Sequence, residues 1–283
     1  MIRATLAAMV DPQIKLAASI NVPEILTLAG HMADASGVIL RRYFRSDIRV
    51  DDKPDMTPVT AADREVEKIL RAMIEAQFPD HGIVGEEFPA VREGADTVWV
   101  LDPIDGTSGF ITGKPLFGTL IGCVQKGLPV AGLIDHPALN ERWIGGAGVA
   151  TTFNGTRARV RRCARISDAM LYATTPHMFG GGDAYAFEAL CEAVKRPQYG
   201  ADCYAYGLLA SGFIDLVVEA SMKPSDYCAL APVVEAAGGT MTDWDGRPLT
   251  LHSDGRVIAA GDARIHARAL KILQSGRDLG QGG

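Results

Sequence analysis

The segment Trp99–Thr107, Trp-Val-Leu-Asp-Pro-Ile-Asp-Gly-Thr, constrains the fold of this 283-residue chain more than any other stretch. Residues 97–101 are rich in β-branched and aromatic side chains, which predicts a buried strand that ends at Asp102. Asp102 and Asp105 are three residues apart, a spacing that suits a hard cation held by oxygen ligands. The Gly106-Thr107 pair suits a helix start that receives phosphate. Taken alone, the segment equally fits an ordinary turn built on Pro, Asp and Gly.

Other acidic residues lie at the ends of predicted elements. Glu86 follows a short strand at 81–85, Glu219 ends a strand at 214–219, and Asp226 begins a helix that runs through 237. Because ligand-binding residues of α/β proteins gather at such ends, we expect these acids to share one site. Clustered carboxylates raise one another's pKa. A divalent cation removes that cost, and oxygen ligands favour Mg²⁺ or Mn²⁺ over Zn²⁺.

Several of these acids also have ordinary structural explanations. Glu86 with its neighbour Glu87 fits a solvated charge pair. Asp63 fits a capping box with Thr60 at a helix N-terminus, and Asp202 fits an acid at a helix start. The histidines show no metal-ligand spacing, and neither a nucleophile elbow nor a local Cys–His pair is evident.

The charge balance bears on partners. The formal net charge is -6 and no run of Lys and Arg is present, which argues against nucleic acid as the main partner. The densest basic patch is Arg157, Arg159, Arg161, Arg162 and Arg165. Its alternation over 157–161, after the hairpin signal Asn154-Gly155, predicts the solvent face of a strand.

The remaining features concern compartment and domains. Five scattered cysteines indicate reduced thiols and a cytoplasmic location, and no apolar run is long enough for a membrane span. Residues 1–20 are expected to be a variable extension and not a signal peptide. Residues 21–275 are expected to form a single catalytic domain, with an α+β part at 21–150 and an α/β part at 151–275. The Gly-rich residues 276–283 are expected to be a mobile tail.

Together these motifs resemble the inositol monophosphatase superfamily of magnesium-dependent phosphatases, over roughly residues 21–273. The matching segments are Gly85-Glu-Glu87, Asp102–Thr107, Asp226 with Ala-Gly-Gly at 237–239, and Asp55-x-x-Pro-Val-Thr-x-x-Asp63. The chain is most similar to the histidinol-phosphate phosphatase branch, through residues 108–122, 199–206 and 218–226. Ser225 stands where the inositol phosphatases carry Trp, which weakens the case for inositol phosphate as substrate.

The resemblance implies an α/β fold of alternating helical and sheet layers, an αβαβα sandwich, and a homodimer. It implies two or three Mg²⁺ ions, with Mn²⁺ as a substitute. The ligands of the first ion would be Glu86, Asp102 and the Ile104 carbonyl, and those of the second Asp102, Asp105 and Asp226. Gly106 and Thr107 would bind the phosphate through backbone N–H groups. Thr107 and Glu86 would orient the attacking water, and Asp63 would support Thr107 or a third ion.

The resemblance also implies the substrate, a small phosphomonoester. Histidinol phosphate, an intermediate of histidine biosynthesis, carries an amine and an imidazole that can be cationic. Asp202 and Glu219 would suit these groups. The alternatives are an inositol-1-monophosphatase or another small phosphomonoester phosphatase of the superfamily. A more remote alternative is a non-catalytic regulatory protein on the same scaffold.

Overall fold

The computed structural model describes residues 20–47, 50–52 and 58–280. Residues 1–19 of the extension expected at 1–20, and the Asp55 part of the upstream motif, lie outside these residues. The first two long helices both begin at residues that cap them, and the second cap is the predicted one. Asn21 Oδ1 accepts a hydrogen bond from Glu24 N at 3.3 Å, and Thr60 forms the capping box with Asp63. These caps satisfy backbone N–H groups that have no partner within the helix.

The first part of the chain builds a largely antiparallel sheet. Strands β3 to β9 lie side by side in sequential order, and only the pair β3–β4 is parallel among the described residues. The short strands β1 and β2 pair separately. The elements are α1 (Val22–Tyr43), β1 (Val50–Asp52), β2 (Pro58–Thr60), α2 (Ala61–Gln77), β3 (Gly82–Gly85), β4 (Thr97–Asp105), α3 (Thr107–Ile111), β5 (Gly118–Gln125), β6 (Leu128–His136), β7 (Glu141–Gly146), β8 (Val149–Phe153) and β9 (Thr156–Arg157).

The second part builds a mixed sheet with the strand order β11-β10-β12-β14-β13. Its elements are β10 (Met170–Ala173), α4 (Gly182–Ala193), β11 (Arg196–Tyr199), α5 (Tyr204–Ala210), β12 (Leu216–Glu219), α6 (Pro224–Ala236), β13 (Thr240–Thr242), β14 (Val257–Ala260) and α7 (Ala263–Gly280), with 3₁₀ turns at Ile166–Asp168 and Pro176–Met178. Strand β11 was not predicted. It lies at the edge of the sheet. Proline is tolerated there because an edge strand has a neighbour on one side only, so a missing N–H need not break the sheet.

The helices and sheets stack in five layers within the described residues. Helices α1 and α2 cover one face of the first sheet, α5 and α6 lie between the sheets, and α4 and α7 cover the far face of the second sheet. The predicted αβαβα sandwich is therefore confirmed. Each helical layer buries its own apolar cluster against a sheet, as layered domains require.

Strand β4 shows how this layering positions the predicted site. Val98 and Val100 join the apolar cluster between the sheets, whereas Trp99 and Leu101 join the cluster under α1 and α2. A strand covered on both faces has no polar side, which explains its continuous apolar sequence. The prediction that the strand ends at Asp102 was wrong. Pairing with β5 continues to Asp105, with an irregularity between the two acids of the kind that re-aims side chains near active sites.

Helix α6 packs unusually close to the first sheet because two glycines face it. A Cβ added to Gly132 would lie 1.9 Å from Ala229 O, and one added to Gly122 would lie 2.9 Å from Ala229 N. The helix starts at Pro224, earlier than predicted, since a proline at the first helical position needs no N–H partner. It also continues through Pro232. Asp226 is therefore in the first turn of α6, directly above the first sheet.

Two other sequence predictions were wrong. The strand expected over 157–161 stops at Arg157, because Val160 N donates to Ala237 O at 3.2 Å and draws the backbone away from the sheet. The expected mobile tail is helical over 276–280, while 281–283 lie outside the described residues. Gly276 serves packing there, since a Cβ on it would lie 2.5 Å from Ala186 Cα on α4.

The sequence predicted reduced cysteines and no membrane-spanning segment. All five cysteines lie within the described residues and are free thiols. In the described ranges, none of the helices combines the length and the apolar character needed to cross a lipid bilayer.

Candidate active site

Four of the acids predicted from strand and helix ends, Glu86, Asp102, Asp105 and Asp226, meet at a cavity of about 290 Å³. Its wall is formed by the end of β3, the end of β4 with the start of α3, the turn that precedes α5, and the loop from β12 into α6. The lining residues are Glu86, Asp102, Ile104, Asp105, Gly106, Thr107, Ser108, Asp202, Ser221, Lys223 and Asp226. Four separate parts of the chain therefore converge on one polar cavity.

Backbone N–H groups orient the two carboxylates of β4. Ile104 N donates to Asp102 Oδ1 at 2.9 Å, and Cys203 N donates to Asp105 Oδ2 at 2.8 Å. Asp102 follows Val98 and Val100 at alternate positions, so it lies on the face of the strand that is covered by α6. The hydrogen bonds fix one oxygen of each carboxylate and aim the other.

Asp226 reaches the same place from α6. Its Oδ2 accepts a hydrogen bond from Lys223 N at 2.7 Å, and its Oδ1 accepts one from Ser225 Oγ at 3.1 Å. Ser225, at the position where the inositol phosphatases carry Trp, is buried. The bond to Lys223 N is the usual one for an acid in the first turn of a helix, and it holds the carboxylate at the helix start.

Asp102, Asp105 and Asp226 each contribute one oxygen, and the three oxygens lie within 4.8 Å of one another. Burial and the neighbouring charge of Glu86 raise the pKa of Asp102 well above its usual value. Burial and the charge of Asp202 do the same to Asp105. Burial raises the pKa of Asp226 to about 6. Three desolvated carboxylates of one sign at this separation suit a divalent cation with a preference for oxygen ligands.

Glu86, Ile104 and Thr107 complete this side of the cavity. Glu86 Oε1 lies 3.4 Å from Lys223 Nζ and is not part of the three-carboxylate cluster. Thr107 Oγ1 donates to Ile104 O at 2.9 Å. A carbonyl oxygen has two lone pairs, so Ile104 O keeps one for a cation.

Asp202 also lines the cavity, beside Gly106. A Cβ on Gly106 would lie 3.3 Å from the Asp202 carboxyl carbon. Asp202 Oδ2 lies 3.7 Å from Lys114 Nζ, and burial raises the pKa of Asp202 against the effect of this ammonium. Asp202 and Ser221 have φ of 48° and 61°. Backbone strain of this kind in non-glycine residues concentrates at functional sites.

Two predicted site residues do not line the cavity. Glu219 is buried, and its two oxygens accept hydrogen bonds from Thr174 Oγ1 at 2.5 Å and Tyr206 OH at 2.8 Å. Burial raises the pKa of Glu219 to about 7. Asp63 Oδ2 accepts from both Thr60 N and Thr60 Oγ1 at 2.7 Å, as its capping role predicts. Their functional roles stay predictions.

Sequence reasoning missed Glu67, which supports the turn after Glu86. Its carboxylate is fully buried. Oε2 accepts from Glu87 N at 2.7 Å, and Oε1 accepts from Arg71 Nε at 2.7 Å. A Cβ on Gly85 would lie 2.0 Å from Glu67 Oε1, so the glycine makes room for this carboxylate. The available signal was an acid beside the apolar stripe of α2, with Arg71 four residues later.

Comparison with known proteins identifies the family of this chain. The sequence profile of the inositol monophosphatase family matches residues 21–277. The chain belongs to this family.

Two curated relatives of this inositol monophosphatase family member have phosphatase names. The chloroplastic bifunctional phosphatase IMPL2 of Arabidopsis thaliana is 50% identical over 252 residues, which cover 86% of this chain and 73% of that protein. A histidinol-phosphatase of Chlorobaculum parvum is 35% identical over 236 residues, covering 83% and 91%. Among solved structures, an inositol monophosphatase from Zymomonas mobilis is 42% identical with a TM-score of 0.83, covering 90% of this chain and 99% of that one.

Replacing Glu67 by glutamine tests its support of Glu86. An amide offers one acceptor oxygen where the carboxylate uses two, so one of the bonds from Glu87 N and Arg71 is lost. We expect kcat/KM for phosphate release to fall about 10- to 100-fold. The Mg²⁺ concentration for half-maximal rate should rise.

The matched control is Glu65→Gln on the same helix, where the acid forms a surface pair with Arg42. Glu65→Gln should leave both kcat/KM and the Mg²⁺ concentration for half-maximal rate unchanged. A purely structural role for Glu67 predicts a lower melting temperature with an unaltered Mg²⁺ dependence, and that outcome would contradict the positioning role.

Proposed function

We propose that the protein is a magnesium-dependent phosphomonoesterase that hydrolyses histidinol phosphate to histidinol and phosphate. The observation that carries the proposal is the cluster of Asp102, Asp105 and Asp226, whose oxygens lie within 4.8 Å of one another in a cavity also lined by Gly106 and Thr107. The relative named histidinol-phosphatase supports the choice of substrate. The expected homodimer stays a prediction.

The donor set fits the metal. Asp102, Asp105 and Asp226 would hold Mg²⁺, together with Glu86 and the free lone pair of the Ile104 carbonyl, and all of these ligand atoms are oxygens. When bound, Mg²⁺ supplies a Lewis acid that neutralises phosphate charge and makes water more acidic. The carboxylates are already oriented by N–H groups of Ile104, Cys203 and Lys223, so little rearrangement is needed to bind it.

In this proposal Thr107 and Glu86 would orient the attacking water. The Thr107 hydroxyl donates a hydrogen bond to Ile104 O at 2.9 Å. Toward water, this hydroxyl can therefore act only as an acceptor. Glu86 lines the same cavity as a second acceptor. Two such acceptors would hold a water molecule by its protons and leave an oxygen lone pair free to attack the phosphorus.

Asp202 is the proposed basis for selecting a cationic substrate. It lines the cavity but lies outside the three-carboxylate cluster, so its charge is available to the rest of the substrate. An ammonium or imidazolium of histidinol phosphate can pair with it in competition with Lys114. The neutral hydroxyls of inositol phosphate gain less from a carboxylate. Inositol 1-phosphate is the second candidate, favoured by the 42% identity with the Zymomonas enzyme.

The test compares kcat/KM for histidinol phosphate, inositol 1-phosphate and fructose 1,6-bisphosphate in the wild type and in Asp202→Asn. Asparagine tolerates the left-handed φ of position 202, so the backbone is preserved. We expect the wild type to prefer histidinol phosphate. In the variant, kcat/KM for histidinol phosphate should fall about tenfold through a higher KM, because one charge-assisted hydrogen bond is lost. The kcat/KM for inositol 1-phosphate should change little.

The two parts of the proposal fail separately. A large wild-type preference for inositol 1-phosphate contradicts the substrate but leaves the phosphatase activity intact. Absence of phosphate release from all three substrates at saturating Mg²⁺ contradicts the activity itself. Equal losses on both monophosphates in Asp202→Asn would remove Asp202 from substrate selection.

A further inference from the structure

A second cavity, of about 710 Å³, shares no lining residue with the active site. Its wall is formed by the segment after β9, the C-terminal end of α6 and the start of α7. Its charged lining consists of Arg157, Arg159, Arg161, Arg162 and Arg264 with the acids Glu235 and Asp262. Five guanidinium groups in one concavity are unexpected on a chain whose net charge is -6.

Nearby acids neutralise only part of this charge. Arg161 donates to Asp215 through Nε at 2.6 Å and through Nη2 at 2.5 Å. Arg264 Nη2 binds Asp262 Oδ2 at 2.6 Å. Within the described ranges, the side chains of Arg157, Arg159 and Arg162 make neither an ion pair nor a hydrogen bond. The cavity therefore carries unpaired positive charge even when Glu235 is counted against it.

The backbone that presents these arginines is held rigidly. Val160 N donates to Ala237 O at 3.2 Å, and Cys163 N donates to Asp262 Oδ2 at 3.1 Å. A Cβ on Gly261 would lie 3.0 Å from Arg161 O, so this wall is in close contact with the segment before α7. These contacts hold the backbone that carries the arginines against α6 and the segment before α7, and the arginines line one cavity.

The chemistry of the cluster points to a multiply charged anion. Arginine does not deprotonate in proteins, so the repulsion cannot be relieved by loss of protons. The planar guanidinium matches phosphate oxygens through paired hydrogen bonds. The backbone N–H of Arg264 at the start of α7 is not available to an anion, because it donates to Asp262 Oδ1 at 3.0 Å. The volume is that of a small-molecule site, and the overall acidity disfavours a nucleic-acid polymer.

We propose that this cavity binds a polyphosphate anion through Arg157, Arg159 and Arg162, at a site separate from the active site. The polyphosphate could belong to a nucleoside triphosphate or be inorganic. Both present adjacent phosphates that can contact several guanidinium groups at once.

Calorimetric titration of the Mg²⁺-saturated full chain tests this site. The probes are inorganic tripolyphosphate and a nucleoside triphosphate with an imido bridge between its β and γ phosphates. We expect binding of both that weakens as salt rises from about 50 to about 200 mM. The double variant Arg159→Gln/Arg162→Gln should bind at least about tenfold more weakly, while Arg165→Gln, whose arginine pairs with the exposed Asp168 outside the cavity, should bind like the wild type.

The outcomes separate the possibilities. Tighter binding of the nucleotide than of tripolyphosphate supports the site and adds a contribution from the nucleoside, whereas equal binding supports recognition of the phosphate chain alone. Equal affinity in wild type and double variant places the anion elsewhere and overturns the proposal. So does the absence of wild-type binding at about 1 mM probe, or a double variant whose oligomeric state changes, since the arginines would then belong to a contact between copies.

Discussion

Asparagine in place of Asp226 is expected to lower kcat for phosphate release about a thousandfold or more. The physical reason is the loss of a metal ligand, which removes several kcal/mol of transition-state stabilisation. The fold should survive, because the asparagine oxygen can still accept the hydrogen bond from Lys223 N that Asp226 Oδ2 accepts at 2.7 Å. Initial rates at saturating Mg²⁺ measure the effect.

Thermal unfolding gives the same substitution a second readout. Without metal, Asp226→Asn should be at least as stable as the wild type, since it removes a buried charge repelled by Glu86. Mg²⁺ should raise the melting temperature of the wild type, because a ligand of the native state stabilises it, and should leave that of the variant nearly unchanged. The control Asp96→Asn removes an exposed acid and should behave like the wild type. Near-normal turnover in Asp226→Asn would remove this residue from the metal site.

Alanine in place of Gly132 is expected to destabilise the protein by about 3 kcal/mol. The added Cβ would lie 1.9 Å from Ala229 O, and the neighbour is backbone in the middle of α6, so no side chain can move aside. A loss of this size lowers the melting temperature by about 6 to 12 °C. Urea unfolding and residual phosphatase activity should both report it, since displacement of α6 also displaces Asp226.

Gly30 provides the matched control for that substitution. It lies within α1, and an added Cβ would have no atom within 4 Å. Gly30→Ala should therefore keep the wild-type stability or gain up to about 1 kcal/mol, since alanine favours helix. Equal stability of Gly132→Ala and the wild type would show that α6 does not need its close approach to the sheet.

The features that sequence predicted well are local. The capping box of Thr60 and Asp63 and the hairpin at Asn154-Gly155 depend on residues a few positions apart. The acids at 86, 102 and 226 could be placed at one cavity because strand ends and helix starts meet at layer edges. Glu219 obeys the same rule at the end of β12, yet Thr174 and Tyr206 hold its side chain away from the cavity.

The features that sequence missed depend on distant partners. The alternation over 157–161 is the same whether or not a strand forms. The hydrogen bond from Val160 N to Ala237 O takes the backbone out of the sheet. Gly276 has the composition of a flexible tail, but α4 packs against it. Ser221 and Lys223 line the cavity only because α6 lies across β4. None of these contacts leaves a periodic signal in the chain.

The central claim is that Asp102, Asp105 and Asp226 hold Mg²⁺ for hydrolysis of histidinol phosphate. The most direct measurement is the rate of phosphate release from histidinol phosphate after removal of metal by a chelator, followed by titration with Mg²⁺. The account predicts a rate at background without metal and full recovery with Mg²⁺. Hydrolysis that continues unchanged in excess chelator, or that Mg²⁺ fails to restore, would contradict it.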